Sequence, residues 1–181
     1  MIKSIIKNSL FILSLSLIGI STLAQSSSRD RKVIADCRQA KVSFLKGDGL
    51  MRNLFASAYG YVIFPNIGKG GIGIGGATGN GVLYQGGAMM GMAKMTQLTI
   101  GFQWGGQAYR EVIFFENKEA IDRFKANNFE FAAQASAVAV TAGVSGNIKY
   151  KNGVMIFTQT KAGLMYEASI GGQKFKYWPG K

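Results

Sequence analysis

The sequence predicts an α+β chain: N-terminal helices followed by a Gly-rich, mainly antiparallel β-sheet system with one short inserted helix. Three observations carry this. Ahead of Tyr59, apolar residues recur at helical spacing. From Tyr59 onward they alternate, or run in short blocks rich in Val, Ile, Phe and Tyr, as strands do. Twenty-five glycines stand against two prolines, a composition of turns and close backbone approaches.

The elements follow in order. Residues 1–24 have the layout of a secretory signal peptide: lysines 3 and 7, an apolar run ending at Leu23, and small residues at Thr22 and Ala24. The apolar core is shorter than the roughly 20 residues of a spanning helix. Residues 25–181 are expected to form a single domain, with 25–30 a mobile lead-in, 31–58 a helical part and 59–181 a β-rich part. Val33, Cys37, Ala40 and Phe44 form the apolar stripe of a helix over Arg31–Gly47. Leu50, Leu54 and Ala58 share a face of a second helix. Tyr61–Phe64 is a short strand, stopped by a turn signal at Pro65-Asn66. Ile72 and Ile74 alternate with Gly71, Gly73 and Gly75, and Gly79-Asn80-Gly81 reads as a turn before a return strand at Val82. Gln97–Trp104 alternates as a half-buried strand with Leu98 on its apolar face. Val112–Phe115 is continuously apolar and suits a central strand. Asn117 is placed to cap a helix through Lys125, with Ala120, Ile121 and Phe124 inward. Phe129–Thr141, Gly153–Phe157 and Gly163–Ile170 read as strands, ahead of a basic, aromatic tail over Lys174–Lys181.

Composition removes several chemistries. There is no histidine and one cysteine, which excludes His-based triads, HExxH zinc sites, disulfide frameworks and cysteine zinc sites. Gly71, Gly73 and Gly76 match GxGxxG, but a helix does not open after them and no acid follows at the required spacing, so no dinucleotide cofactor is expected. Glu111, Glu116, Glu119 and Asp122 are the one acidic cluster, with Glu119 and Asp122 near a helix start that favours negative charge. No enzyme, cofactor or metal is expected.

Several blocks resemble a known family. They are Gly60–Asn66, Gly68–Gly73, Gly79–Tyr84, Val112–Phe115, Ala120–Phe124, the small-residue strand over Phe129–Gly143, and Lys161–Ser169. In this order they resemble the SYLF domain, so that residues 25–181 read as a single SYLF-like domain of the secreted bacterial type. The resemblance implies lipid binding. In eukaryotic members it also implies phosphoinositide and sometimes actin binding. The expected signal peptide, and residues 25–181 reading as a SYLF-like domain without SH3 or FYVE sequence, place actin outside the expected partners.

The charge points the same way. Twenty-one Lys and Arg face nine Asp and Glu, a net charge of +12, which falls to +10 if the two leader lysines are removed. Arg31, Arg38 and Lys41 crowd the first helix, and Lys149, Lys151, Lys161, Lys174 and Lys176 crowd the C-terminal third. Tyr177 and Trp178 beside those last lysines have the make-up of an interfacial anchor. Each cation near an anionic membrane surface contributes about 1 kcal/mol. The expectation is an exported, periplasmic or secreted domain, peripherally associated with an anionic phospholipid surface, with no nucleic-acid partner. The alternative is a structural or protein-interaction module of the cell envelope. The sequence leaves the oligomeric state open.

Overall fold

The computed structural model describes residues 28–46, 49–72, 74–100, 107–126, 130–131, 150–160 and 172–180. The chain divides into two compact units, Met1–Lys32 and Val33–Lys181. Of the first unit, only 28–32 are described. They open helix α1, residues 28–46, so the helix begins inside the stretch expected to be a mobile lead-in. The expected signal peptide lies outside the described residues.

The second unit carries the rest. Helix α2 is Gly49–Ser57 and helix α3 is Lys118–Lys125. The strands are β1 (Gly60–Ile72), β2 (Ile74–Gln85), β3 (Ala88–Ile100), β4 (Gln107–Phe115), β5 (Glu130–Phe131), β6 (Val154–Thr160) and β7 (Gln173–Pro179). They form one sheet in the order β5-β7-β3-β2-β1-β4-β6, and every pairing is antiparallel. The α+β architecture, with helices ahead of the strands and a short helix inserted, is as the sequence predicts.

Both faces of the sheet are used. Along β4, Val112 and Phe114 enter one buried cluster with Cys37, Ala40 and Phe44 of α1 and Met51 and Leu54 of α2. Ile113 and Phe115 enter a second cluster with Ala120, Ile121 and Phe124 of α3. Successive side chains of a strand point to opposite faces, so a four-residue apolar run marks a strand covered on both sides. β6 repeats the pattern, with Val154 and Ile156 on the α3 side and Met155 and Phe157 on the α1 side. Asn117 caps α3 as expected: its Oδ1 accepts from the Ala120 N–H at 3.0 Å.

The sheet is curled around α3. In the strand order, β7 and β4 stand four steps apart, about 19 Å on a flat sheet at roughly 4.8 Å per step. Yet Gln173 of β7 hydrogen-bonds Glu111 of β4. Phe175 of β7 lies 5.7 Å, ring centre to ring centre, from Phe64 of β1 and 5.5 Å from Phe124 of α3. The face carrying α3 is therefore concave, and β7 folds over to meet β4 across it.

Two expected turns are not turns. Pro65-Asn66 lies within β1, where the register shifts against both neighbouring strands. A bulge absorbs the missing proline N–H without ending the strand. Gly79-Asn80-Gly81 lies in mid-β2, paired with β1 on one side and β3 on the other. Its glycines answer a close approach: a Cβ on Gly81 would sit 2.4 Å from the Ile63 carbonyl oxygen. The chain reverses instead between Ile72 and Ile74, which pair with each other, and at Gly86-Gly87. There both φ angles are positive, 57° and 81°, as a type I′ hairpin turn requires. The GxGxxG match thus falls on the β1–β2 hairpin, followed by a strand. On β3, Leu98 is 75% exposed and Gln97 is buried, the reverse of the expected facing. Most of Phe129–Thr141 and all of Gly163–Ile170 lie outside the described residues. The expected basic tail is strand β7.

Candidate anion-binding face

The α1 side of the sheet is covered only in part. Helices α1 and α2 lie over β1, β4 and β6, where their apolar residues pack. Over β7, and over β3 beyond the buried Met92, the same face is open. Lys94, Thr96 and Leu98 of β3 alternate outward, as do Lys174, Lys176 and Trp178 of β7. The register aligns them: Met92 opposite Trp178, Lys94 opposite Lys176, and Thr96 opposite Lys174. Like charges directly opposite on antiparallel strands destabilise a sheet. Lys94 and Lys176 form no ion pair among the described residues. None of the nine acids lies in β2, β3 or β7. Lys174 stands in register with Glu130 of β5, so the uncompensated part of the ladder is Lys94 with Lys176. Trp178, 37% exposed, stands at the end of that ladder.

The face is bordered by a cleft of about 340 Å³ between α1 and the β2–β3 hairpin. Arg38 and Lys41 line one wall, and Tyr61, Tyr84 and Met89 line the other. Lys41 is fixed in place. Its Nζ donates to the Tyr61 hydroxyl at 2.8 Å and lies 4.9 Å from the ring centres of both Phe55 and Tyr61. Such cation–π contacts contribute about 0.5–1 kcal/mol at exposed sites. Tyr61 stacks on Tyr84 at 5.2 Å. Burial pushes the Tyr84 hydroxyl pKa up, and Arg38 pulls it partly back. Tyr84 therefore stays a neutral donor, beside two cations. Met89, 40% exposed, supplies an apolar lip. A rigid cation, an exposed guanidinium and an apolar rim suit an anionic group attached to an apolar body.

Cys37 forms part of the cleft wall. Its Sγ donates to the Ile63 carbonyl at 3.3 Å, and burial pushes the thiol up to about 12. A thiol so far from ionising is a packed side chain and not a nucleophile.

The sequence-predicted residues separate into groups. Arg38 and Lys41 meet at the cleft, and Lys174, Lys176 and Trp178 share the open face. Arg31 belongs to the first unit and is exposed on the opening turns of α1. Lys151 is exposed in a tight turn that it closes with Val154, before β6. Lys149 and Lys161 lie outside the described residues. Tyr177 faces the concave side, packs on its core and donates its hydroxyl to the Met90 carbonyl at 3.0 Å. It is a structural partner of β3, and Trp178 alone of the aromatic pair faces outward with the lysines. Lys94 was missed. Its signal was a single cation inside the apolar stretch Met92–Met95, two residues from the outward Thr96.

The acidic cluster also separates. Glu119 lies in the first turn of α3, Asp122 pairs with Lys118 one turn earlier, and Glu116 is exposed. Glu111 is wholly buried. Among the described residues no three His, Cys, Asp or Glu side chains gather as a metal site, and no helix is long and apolar enough to cross a membrane.

Residues 96–177 match the model of the Ysc84 family, described as Las17-binding protein actin regulator. The matched stretch runs from the end of β3 through α3 to β7. The match covers under half of the chain, and over that stretch the chain is similar to the Ysc84 (SYLF) family. The chain is also 34% identical over 74 residues to Beta cell expansion factor A of Aeromonas veronii. That match covers 41% of this chain and 28% of the relative, so the chain spans under a third of the curated relative it matches.

Proposed function

We propose that this SYLF-family chain is a non-catalytic, exported domain that binds anionic phospholipid headgroups. The open β3–β7 face makes the electrostatic contact, Trp178 enters the interface, and the α1 cleft holds a headgroup. The observation that carries the reading is the Lys94–Lys176 pair. Two cations held opposite one another on adjacent strands that carry no acid cost stability, and an anionic surface offsets that cost. Trp178 on the same face fits interfacial insertion. The lipid binding that the SYLF resemblance implies, and the cationic net charge, support the same conclusion.

Vesicle co-sedimentation tests it. Binding is expected to anionic vesicles and not to neutral ones, and to weaken as salt shortens the Debye length. Replacing both Lys94 and Lys176 by Gln removes about 2 kcal/mol, roughly a thirtyfold loss of affinity. Equal pelleting on neutral and anionic vesicles, without a salt effect, overturns the reading. A protein partner captured in the absence of vesicle binding favours the envelope interaction module instead.

A further inference from the structure

The concave side holds a charge problem unrelated to the lipid face. Glu111 is 0% exposed and Gln173 1%. Gln173 Nε2 donates to Glu111 Oε2 at 2.9 Å. The other oxygen of each group, Glu111 Oε1 and Gln173 Oε1, is buried and has no hydrogen-bond partner among the described residues. Both are acceptors, and they belong to the two groups already joined by one bond. A single proton is the missing part. A carboxylic acid and a carboxamide close a two-bond ring, N–H to acid oxygen and acid O–H to amide oxygen, whereas a carboxylate leaves both outer oxygens orphaned.

Among the described residues the surroundings offer no other remedy. From β1, Phe64 stands opposite Glu111, and from β6, Thr158. On its own strand and face come Tyr109 and Ile113, and from β7 come Gln173, Phe175 and Tyr177. Among these described residues the ionisable groups are the phenols Tyr109 and Tyr177. The neighbouring cation, Arg110, belongs to the opposite face, where it donates to Gln159 Oε1 at 3.0 Å. On α3, Lys125 donates to Gln85 and Arg123 to the Asn152 carbonyl. Among the described residues no cation is presented to the carboxyl, and burying an unpaired carboxylate is expensive.

We infer that the Glu111 carboxyl keeps its proton in the folded protein and donates it to Gln173 Oε1, forming an acid–amide clasp that holds β7 to β4 across the curled sheet and opens when Glu111 ionises. Burial pushes the carboxyl up to about 7, against a partial lowering by the Gln173 hydrogen bond. The unfolded chain loses this proton near 4.5. Between those values the folded state binds the extra proton, so stability falls as pH rises and levels off above the folded pKa. The chain has no histidine, which leaves the neutral range free of ordinary side-chain titrations. The clasp does not depend on the lipid reading.

Thermal unfolding of the full chain from about pH 5 to about pH 9 tests the inference. The wild-type midpoint falls by several degrees up to neutrality and then flattens, and Glu111→Gln shows no such slope. Infrared difference spectra of the wild type give a second readout that needs no variant to fold. A protonated-carboxyl band is expected at about pH 5.5 and is lost near pH 7. A flat wild-type profile, a slope retained in Glu111→Gln, or carboxyl bands lost wholly in the ordinary carboxylate range would each overturn it.

Discussion

The two halves of the sheet obey different rules. In the half made by β1, β4 and β6, helices lie on both faces, and the strands carry unbroken apolar runs: Val112, Ile113, Phe114 and Phe115 are all buried. In the half made by β3 and β7, the concave face is covered and the other is open beyond Met92. There Met95 and Phe175 point inward while Lys94 and Lys176 point out. The same secondary structure thus serves as core in one half and as surface in the other. Coverage decides which, because a strand position is apolar only where something dry lies against it. The lysines are on the open half because the helices end before reaching it.

Breaking the covered half costs most. Phe114 meets Phe55 at 4.9 Å and Phe157 at 5.9 Å, ring centre to ring centre, both edge to face. Phe114→Ala opens a cavity under both helices. It should destabilise the fold by about 3–5 kcal/mol, read by denaturant unfolding. Trp178→Ala on the open half should change stability far less and reduce vesicle binding. A Phe114→Ala cost no larger than that of Trp178→Ala would dissolve the distinction between the halves.

The border strand β2 is tested by Gly81→Ala. The new methyl meets the Ile63 carbonyl at 2.4 Å and the Phe64 ring at 2.6 Å, and the paired backbone cannot retreat without losing the β1–β2 register. Overpacking of this kind costs about 1–3 kcal/mol. The same change at Gly68, which has open space beyond it, should be nearly silent, and equal losses at both sites would point to intrinsic strand propensity instead of close approach.

How much of this could be read from the sequence follows from how local each feature is. The Val112–Phe115 run marks a doubly covered strand, the Val33–Phe44 stripe marks the buried side of α1, and Asn117 marks the cap of α3. Each is decided within one or two turns of chain. Gly79-Asn80-Gly81 misleads because turn chemistry and close cross-strand packing ask for the same residue, and the deciding atom belongs to Ile63, 18 residues away. Glu111 reads as one of four neighbouring acids, yet it is two residues before Ile113 on the same face of β4, and that parity turns it inward. Its partner Gln173 lies 62 positions on, and only the curl of the sheet brings them together. Of the site, the separate basic segments are legible. Their gathering depends on the β3–β7 register, which also admits Lys94 and sends Tyr177 to the other side.

The smallest stability effect is the sharpest test of the open half, because two readouts should move in opposite directions. Lys94→Glu places a carboxylate directly opposite Lys176. A repelling pair becomes an attracting one, and the fold should gain about 0.2–1 kcal/mol, less at high salt. The same change takes two units of positive charge from the face that meets the membrane, so binding to anionic vesicles should fall. A substitution that merely damaged the sheet would lower both stability and binding. One on an inert solvated surface would raise stability and leave binding alone. Only a face held in electrostatic tension for the sake of an anionic partner gains stability as it loses that partner.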